Sequence, residues 1–440
     1  MFVLDNLGFV AGCELRAALA PPSSLDSALR AAYGELDAGP TAGAAAAAGA
    51  EEDADAPIIR LVHKLIESAL EQRASDIHIE PFENSVRVRY RIDGVLHEVG
   101  RQPKNLQASL TSRLKLMASL DIAERRKPQD GRIQMRLLGR EIDIRTSVLP
   151  GNHGETIVMR LLDREESLRS LAALGFVGDD YERFQRLIKR PNGIFLVTGP
   201  TGSGKTTTLY AALSELNRPD VKIITAEDPV EYHLSGINQC QVKSQIGLDF
   251  ARILRAMLRQ APNIILVGEI RDGEAAEIAI QAALTGHLVF STLHTNDAPS
   301  ALTRLVDMGV KPFLVAASVQ AVLAQRLIRV LCPHCKEEYS PEDSDLRSIG
   351  IGPADLSGAV YRAKGCDKCS SGYLGRRGIF ELMVMDDELR EMCFRQEPTL
   401  KIREYAQRSG GMFSLRQDGA RKVLEGHTSI EEVLRVVAAV

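Results

Sequence analysis

Several residue types that would assign this chain to a functional class are scarce or missing. The 440 residues include no tryptophan, and aromatic residues make up only 5%, so stacking platforms for nucleic-acid bases are not expected. The net charge of −4 gives no overall positive field that would attract a polyanion. We therefore expect no nucleic-acid partner.

Long apolar runs are also missing. The sequence contains no stretch of about 18 apolar residues, the length that a membrane-spanning helix requires. The N-terminus has no basic region followed by an apolar segment, as a secretory signal would. These features predict a cytoplasmic protein that reaches a membrane only through partners.

The most informative stretch joins an apolar run, residues 193–198, to a glycine-rich turn. Residues 199–206 match G-x-x-x-x-G-K-[ST], the phosphate-binding loop. Glycines let backbone N–H groups approach phosphate oxygens, and the following helix begins with its positive end at the same anion. Lys205 would supply a cation for the β- and γ-phosphates, and Thr206 a hydroxyl ligand for Mg²⁺. The candidate ATP-binding residues are Gly199, Pro200, Thr201, Gly202, Ser203, Gly204, Lys205, Thr206 and Thr207.

Two further apolar strands run into carboxylates. The first is followed by Glu227 and Glu231, and the second by Glu269. Acids at the carboxyl ends of strands beside a phosphate loop suit the handling of Mg²⁺ and water, although the first group is equally consistent with a capped turn. The second resembles a Walker B element, in which Glu269 holds a magnesium-bound water or polarises the attacking one.

His287 and His294 bracket the apolar segment Leu288–Leu293, whose composition predicts a buried parallel strand. A single histidine at a strand end is commonly structural. Because two histidines flank the next core strand of a nucleotide-binding sheet, one of them is a candidate for contacting the γ-phosphate.

Residues 57–165 have the pattern of an α+β domain. Ile58–Glu71 is apolar at helical spacing, and a second helix is expected over residues 106–119. Asp93-Gly94 favours a hairpin turn. The predicted strands are Asp76–Glu80, Val86–Ile92, Val95–Val99, Arg132–Leu137, Glu141–Leu149 and Glu155–Leu162.

This domain is rich in arginine. Arg87, Arg89 and Arg91 alternate along one strand and so share a face, and further arginines include Arg126 and Arg132. A salt-bridged sheet face explains the pattern most simply. The alternative is that some of these side chains reach a nucleotide phosphate across a domain or subunit boundary.

The two ends of the chain carry no recognisable chemistry. Residues 1–35 predict a small helical piece, and residues 36–56, rich in alanine and acids, predict a flexible linker. Residues 373–440 are expected to be helical, with helices at about Glu388–Phe394, Thr399–Gln407 and Ser429–Val440.

Four of the seven cysteines form two C-x₂-C pairs, Cys332/Cys335 and Cys366/Cys369. Each pair can place two thiolates on one ion, and four such ligands suit a closed, structural Zn²⁺ site within residues 330–372. His334 lies inside the first pair and is not needed as a ligand. The remaining cysteines, Cys13, Cys240 and Cys393, are expected to be ordinary packing or surface residues.

Taken in their order along the chain, these motifs make the sequence resemble the traffic ATPases of type II secretion and type IV pilus assembly. The likeness is to the GspE and pilus-extension type. The likeness covers residues 57–440. Besides the motifs above, it is carried by the segments Ala74–Pro81, Thr225–Glu231 and Gly268–Asp272. It implies an α/β fold, with a RecA-like P-loop NTPase domain in residues 166–440 preceded by an α+β, PAS-like domain. It also implies a homo-hexameric, Mg²⁺-dependent ATPase whose two lobes rotate to drive an inner-membrane platform protein.

The same resemblance places individual residues. Glu227 and Glu231 fall in an acidic box, Glu269 in Walker B, and His287 and His294 in a histidine box. It further implies that Arg126 and Arg132 match nucleotide-reaching arginines of the sheet domain. Pilus retraction ATPases are similar but lack the paired cysteines, which favours secretion or pilus extension.

The sequence departs from the family pattern at two places. Ala261 and Asn263 stand where acids are usual before Walker B, and neither position is a ligand in the motif. Residues 2–34 resemble only the tail of a longer domain that docks onto a membrane partner. Two explanations stay open, a truncated chain or a start downstream of the true one, and recruitment to the membrane stays open with them.

Two other functions stay open. A RecA-like nucleic-acid translocase is disfavoured by the charge and the scarce aromatics. A nucleotide-regulated scaffold that does not hydrolyse ATP is disfavoured by the intact Lys205, Thr206 and Glu269. The residues do not rank Glu227 against Glu269 as the base.

Overall fold

The computed structural model describes residues 49–163, 170–176, 178–352, 356 and 358–438, without the side chains of residues 49–56 and 163. The chain divides into two compact units, Met1–Arg60 and Leu61–Val440, and the second contains all of the sheets described below. The predicted N-terminal helical piece, most of the predicted linker and Cys13 lie outside the described residues. No helix in the described ranges is both long enough and apolar enough to span a bilayer.

Two helices and a six-stranded antiparallel sheet form the first part of the fold. Helix α1 covers Gly49–Glu71 and helix α2 covers Gln107–Met117. The strand order is β3-β2-β1-β6-β5-β4, with β1 Ala74–Pro81, β2 Ser85–Ile92, β3 Val95–Pro103, β4 Gln129–Leu137, β5 Arg140–Leu149 and β6 Thr156–Asp163. All six predicted strands and the Asp93-Gly94 hairpin turn are confirmed.

One face of this sheet packs against the helices in a core of its own. Ile77, Val88, Ile144 and Leu114 are fully buried there. The alternating exposure of β2, with every second residue buried, follows from one wet and one dry face.

The second sheet has seven strands in the order β15-β12-β7-β11-β10-β8-β9. Its strands are β7 Gly193–Thr198, β8 Ile223–Glu227, β9 Asn238–Gln241, β10 Ile264–Val267, β11 Leu288–Leu293, β12 Val319–Leu331 and β15 Tyr373–Val384. All neighbours are parallel except β12 and β15. The carboxyl ends of β7, β8, β10 and β11 therefore meet along one edge of the sheet.

Helices cover both faces of this sheet, which explains why β7, β10 and β11 are buried along their whole length. They are α3 Asp180–Ile188, α4 Lys205–Leu216, α5 Phe250–Met257, α6 Gly273–Leu284, α7 Pro299–Asp307 and α8 Pro312–Ser318. Two apolar clusters, one on each side of the sheet, form the core.

The connection between β12 and β15 is a small subdomain that carries the paired cysteines. It contains the two-stranded sheet β13 Glu337–Tyr339 and β14 Val360–Arg362, and helix α9 Asp343–Ser348. Four helices follow β15: α10 Asp387–Phe394, α11 Thr399–Arg408, α12 Leu415–Leu424 and α13 Ile430–Val437.

Three predictions of element boundaries require correction. Helix α1 begins at Gly49, so the end of the predicted linker is helical, as its strong helix formers allow. The segment 373–384, expected to open a helical region, is a long strand paired with β12. Helix α12 was not predicted, because Gly419 interrupts its pattern; the glycine is required where a Cβ would lie 2.7 Å from Val433.

Candidate nucleotide site and cysteine cluster

The phosphate loop has the local structure that its sequence predicts. Strand β7 leads into it, and helix α4 begins at Lys205 directly after Gly204. Gly199 and Gly204 have φ angles of 146° and 87°, which side chains rarely adopt. The loop therefore presents the N-terminus of α4 at the carboxyl edge of the sheet, where an anion is stabilised.

Lys205 and Thr206 lie side by side at this helix start. The Lys205 ammonium donates to the carbonyls of Gly199 at 2.7 Å and Pro200 at 3.1 Å, and burial lowers its pKa to about 8. The neighbouring Glu269 carboxylate partly opposes this shift. Thr206 is exposed to the cavity, so its hydroxyl is accessible to a ligand.

Glu269 follows β10 and is held from two sides. Arg271 Nε donates to its Oε1 at 2.7 Å, and His294 Nε2 lies 3.1 Å from its Oε2. Burial acts to raise the pKa of Glu269, but the hydrogen bonds from Arg271 and His294 outweigh it, and the pKa lies below its ordinary value. The carboxylate is therefore ionised and pointed by its neighbours.

Glu227 ends β8 and is only 4% exposed. Its carboxylate accepts hydrogen bonds from the Tyr210 and Thr225 hydroxyls and, at 3.2 Å, from Gln239 Nε2. The Glu227 carboxylate thus accepts three hydrogen bonds, and it also lines the cavity. Glu227 thus ties helix α4, which follows the phosphate loop, to strands β8 and β9.

A cavity of about 1230 Å³ lies beside the phosphate loop. Lys205, Thr206, Glu227, Glu269 and His294 all line it. Residues of the six-stranded sheet also contribute to its walls, so the two sheets share one cavity. Its size is sufficient for a nucleotide, since ligand pockets typically measure about 300–1,000 Å³.

The six-stranded sheet makes a direct ionic contact with this site. Arg145 of β5 lies 2.9 Å from the Glu231 carboxylate and donates to the Val230 carbonyl at 2.9 Å. Sequence reasoning missed Arg145, because it belongs to no motif and its partner is distant along the chain. Its position in an arginine-rich sheet was the only available signal.

Arg132 and Arg126, the two arginines predicted to reach a nucleotide, differ in their position relative to the cavity. Arg132 lines the cavity while paired with Asp143. Arg126 is 86% exposed, binds Glu124 and is not among the residues that line the cavity. The strand face formed by Arg87, Arg89 and Arg91 is salt-bridged to Glu80 and Asp76, which confirms the simpler interpretation of that pattern.

The two histidines lie at opposite ends of β11. His294 follows the strand at the edge that carries the phosphate loop, whereas His287 precedes it, and its Nδ1 lies 2.9 Å from the Ala282 carbonyl. Because β7 and β11 are parallel, the structure brings only His294 of this pair to the site. Proximity in sequence had suggested either one.

The four paired cysteines converge in the subdomain between β12 and β15. Their sulfur atoms all lie within 4.8 Å of one another, with Cys332–Cys366 at 3.9 Å and Cys335–Cys369 at 3.7 Å. Tetrahedral thiolates at about 2.3 Å from zinc would stand roughly 3.8 Å apart. The cluster therefore fits zinc binding. Cys240 and Cys393 are free thiols outside it.

Comparisons with known proteins show which proteins this chain resembles. A family model described as Type II/IV secretion system protein matches residues 51–435. The chain is 53% identical to the type II secretion system protein E of Pseudomonas aeruginosa, over 88% of this chain and 76% of that one. It is 52% identical to the type IV pilus assembly ATPase PilB of Myxococcus xanthus, over 86% and 68% of the two chains. A crystal structure of the pilus retraction motor PilT with bound ADP superposes with a TM-score of 0.57 at 25% identity, covering 85% of this chain and 96% of that one.

Proposed function

This chain belongs to the type II/IV secretion system protein family, and we propose that it is the motor ATPase that powers protein secretion or pilus assembly by hydrolysing ATP to ADP and phosphate. One observation carries the proposal: a phosphate loop with its lysine shares a cavity with an ionised, hydrogen-bonded glutamate at the end of β10, two strands away from β7 in the sheet. A binding scaffold needs the first of these, whereas hydrolysis needs both.

The residues suggest a division of labour in hydrolysis. The α4 N-terminus and Lys205 would hold the phosphates of ATP by hydrogen bonds and charge. Glu269 has a lowered pKa and is therefore a weak base, better suited to orienting the attacking water than to keeping its proton. His294, in contact with Glu269, would fix the direction of that carboxylate.

Mg²⁺ fits the donor set of this cavity. The exposed Thr206 hydroxyl and the Glu269 carboxylate are hard oxygen donors, which this ion prefers, and both line the cavity. Thr206 and Glu269 are the residues that would hold it. When bound, it would supply positive charge that offsets the negative charge developing during phosphoryl transfer.

The cysteine cluster is proposed to bind one structural Zn²⁺. Four thiolates complete a tetrahedral shell and leave no position for substrate, so the ion would stabilise the subdomain. The ion would add to the stability of these roughly 40 residues, whose apolar cluster is shared with helices α12 and α13.

Family membership supports further proposals about assembly. We infer a homo-hexamer that works at the cytoplasmic side of the inner membrane, with a platform protein and a recruitment partner there. Sheet-domain arginines, Arg126 and Arg132 among them, are proposed to act on nucleotide held by a neighbouring subunit. Which of the two machines the motor serves depends on those partners.

A hydrolysis assay against protein concentration tests the proposal. We expect Mg²⁺-dependent phosphate release whose rate per chain rises with concentration as subunits assemble. Adding inactive Lys205→Ala chains to wild type should reduce activity more than dilution does, because each would occupy a place in a shared assembly. Wild type that binds ATP but releases no phosphate at any concentration would contradict the proposal.

A further inference from the structure

A buried arginine lies beneath the phosphate loop. Arg326 is in the middle of β12, the strand next to β7, and is only 6% exposed. Its guanidinium donates through Nη2 to the Asn296 side-chain oxygen at 3.0 Å and to the Asn296 carbonyl at 3.3 Å. This arginine belongs to no motif of the sequence.

On one side, Arg326 and its neighbour Gln325 support the loop. A Cβ at Gly199 would lie 2.5 Å from the Gln325 carbonyl and 3.0 Å from Arg326 Nη1. The Thr208 hydroxyl of α4 donates to Gln325 Oε1 at 2.8 Å. The start of the loop and the helix after it therefore rest directly on these two residues of β12.

On its other side, Arg326 holds the turn that carries His294. Asn296 comes two residues after His294, which lies against Glu269. Thr295 between them is already joined to the end of β7, since its N–H donates to Thr198 Oγ1 at 2.9 Å. Arg326 adds a second tie between this turn and the floor of the phosphate site.

Nearby acids make the buried cation tolerable. Asp297 and Glu381 are both almost fully buried and attract Arg326 electrostatically. Arg403 of α11 binds Asp297 at 2.6 Å, so the cluster has compensating charges of both signs. Arg326, Asp297 and Glu381 are buried, while Arg403 is 39% exposed; burying charged groups is costly unless they have partners.

We propose that Arg326 is a positioning residue for hydrolysis, which holds the turn Leu293–Asn296 on the phosphate loop and so keeps His294 directed at Glu269. The effect of Arg326 on kcat rests on the proposed ATPase function. Its effect on the rigidity of the turn does not, because that effect is a property of the folded protein alone.

The kinetic test compares Arg326→Gln, His294→Ala and the double variant. We expect Arg326→Gln to lower kcat about tenfold or more, as small misplacements of catalytic groups do, with KM for ATP changed less than about threefold. In the double variant, the loss should be no larger than that of His294→Ala alone, because both act through one side chain. Multiplying losses, or a raised KM with unchanged kcat, would overturn the proposal.

A matched control is available on the same strand. Arg329 is also a largely buried arginine of β12, but it binds Glu432 of α13. Arg329→Gln should leave kcat near that of wild type even if it lowers the melting temperature. If Arg326→Gln does not fold, Arg326→Lys keeps the cation and removes the planar fork; wild-type kcat in that variant would also overturn the proposal.

Hydrogen exchange separates this inference from the proposed function. In nucleotide-free protein, amides of residues 293–297 should exchange faster in Arg326→Gln than in wild type or Arg329→Gln. If they do while wild type hydrolyses no ATP, the function and the kinetic role of Arg326 both fail, and only its structural role in holding the turn stands. If wild type is active and both exchange and kcat are unchanged in Arg326→Gln, the positioning role fails and the function stands.

Discussion

The cysteine cluster and the nucleotide site are assembled in opposite ways. The cluster takes its four sulfur atoms from two short turns of one subdomain. The nucleotide site takes its groups from the ends of β7, β8, β10 and β11, and Arg145 of the other sheet binds Glu231, which lines the same cavity. A site built from local turns depends on residue spacing, whereas one built from strand ends depends on the order of strands in the sheet.

The largest effect should come from Lys205, the cation of the nucleotide site. Lys205→Ala should lower ATP hydrolysis by about a hundredfold or more, because a preorganised charge at the phosphates is lost, while zinc content stays unchanged. Phosphate release and metal analysis measure the two. Lys189→Ala, which removes an exposed lysine paired with Glu215, is the control and should match wild type. Zinc loss in Lys205→Ala would contradict the independence of the two sites.

Glu269→Gln separates chemistry from binding within the nucleotide site. We expect hydrolysis to fall by about a hundredfold, since the ionised carboxylate no longer orients water, while ATP affinity falls little. Turnover and calorimetric binding are the measurements. Glu274→Gln, at an exposed acid of α6 paired with Arg255, is the matched control. Unaltered turnover in Glu269→Gln would transfer the role to another acid such as Glu227.

Cys332→Ser and Cys335→Ser test whether the cysteine cluster binds zinc independently of the nucleotide site. Each should reduce bound zinc from about one ion per chain toward none and destabilise the subdomain, because zinc binding contributes to folding. ADP affinity should remain within about twofold of wild type. Cys240→Ser, outside the cluster, should keep the metal. Purified wild type without zinc would refute the assignment.

A smaller effect concerns Glu432, which holds β12 near the cluster. Burial acts to raise the pKa of Glu432, but hydrogen bonds from Arg435 and Arg329 outweigh it, so the pKa lies below its ordinary 4.5. The stabilisation is therefore complete above about pH 4.5 and is lost as the pH falls through the lowered folded-state pKa.

Glu432→Gln should lower the free energy of unfolding by about 3 kcal/mol at pH 7. The difference in unfolding free energy between Glu432→Gln and wild type should shrink as acid protonates Glu432. Denaturant unfolding at pH 7 and at a pH well below 4.5 measures this difference. Glu431→Gln, at the exposed neighbour, controls for charge. A difference that is constant with pH would show that the ion pair is not the cause.

The contrast between a site built from local turns and one built from strand ends also explains how much of each could be predicted from the sequence. The cysteine pairs and the phosphate loop are local, so spacing alone located them. The roles of Arg145, Gln325 and Arg326 come from neighbours far along the chain, and nothing local marks them. The same limit applied to the histidines: the sequence shows that both flank β11, but only the parallel pairing with β7 tells which end faces the loop.

The long strand β12 passes both sites. Arg326 lies under the phosphate loop, and Cys332 follows the last residue of the same strand, Leu331. Six residues of extended chain span about 20 Å. Over this stretch β12 is paired with β15, whereas its pairing with β7 ends at Ala324, before Arg326. A single strand therefore runs from the floor of the phosphate site to the first cysteine of the subdomain.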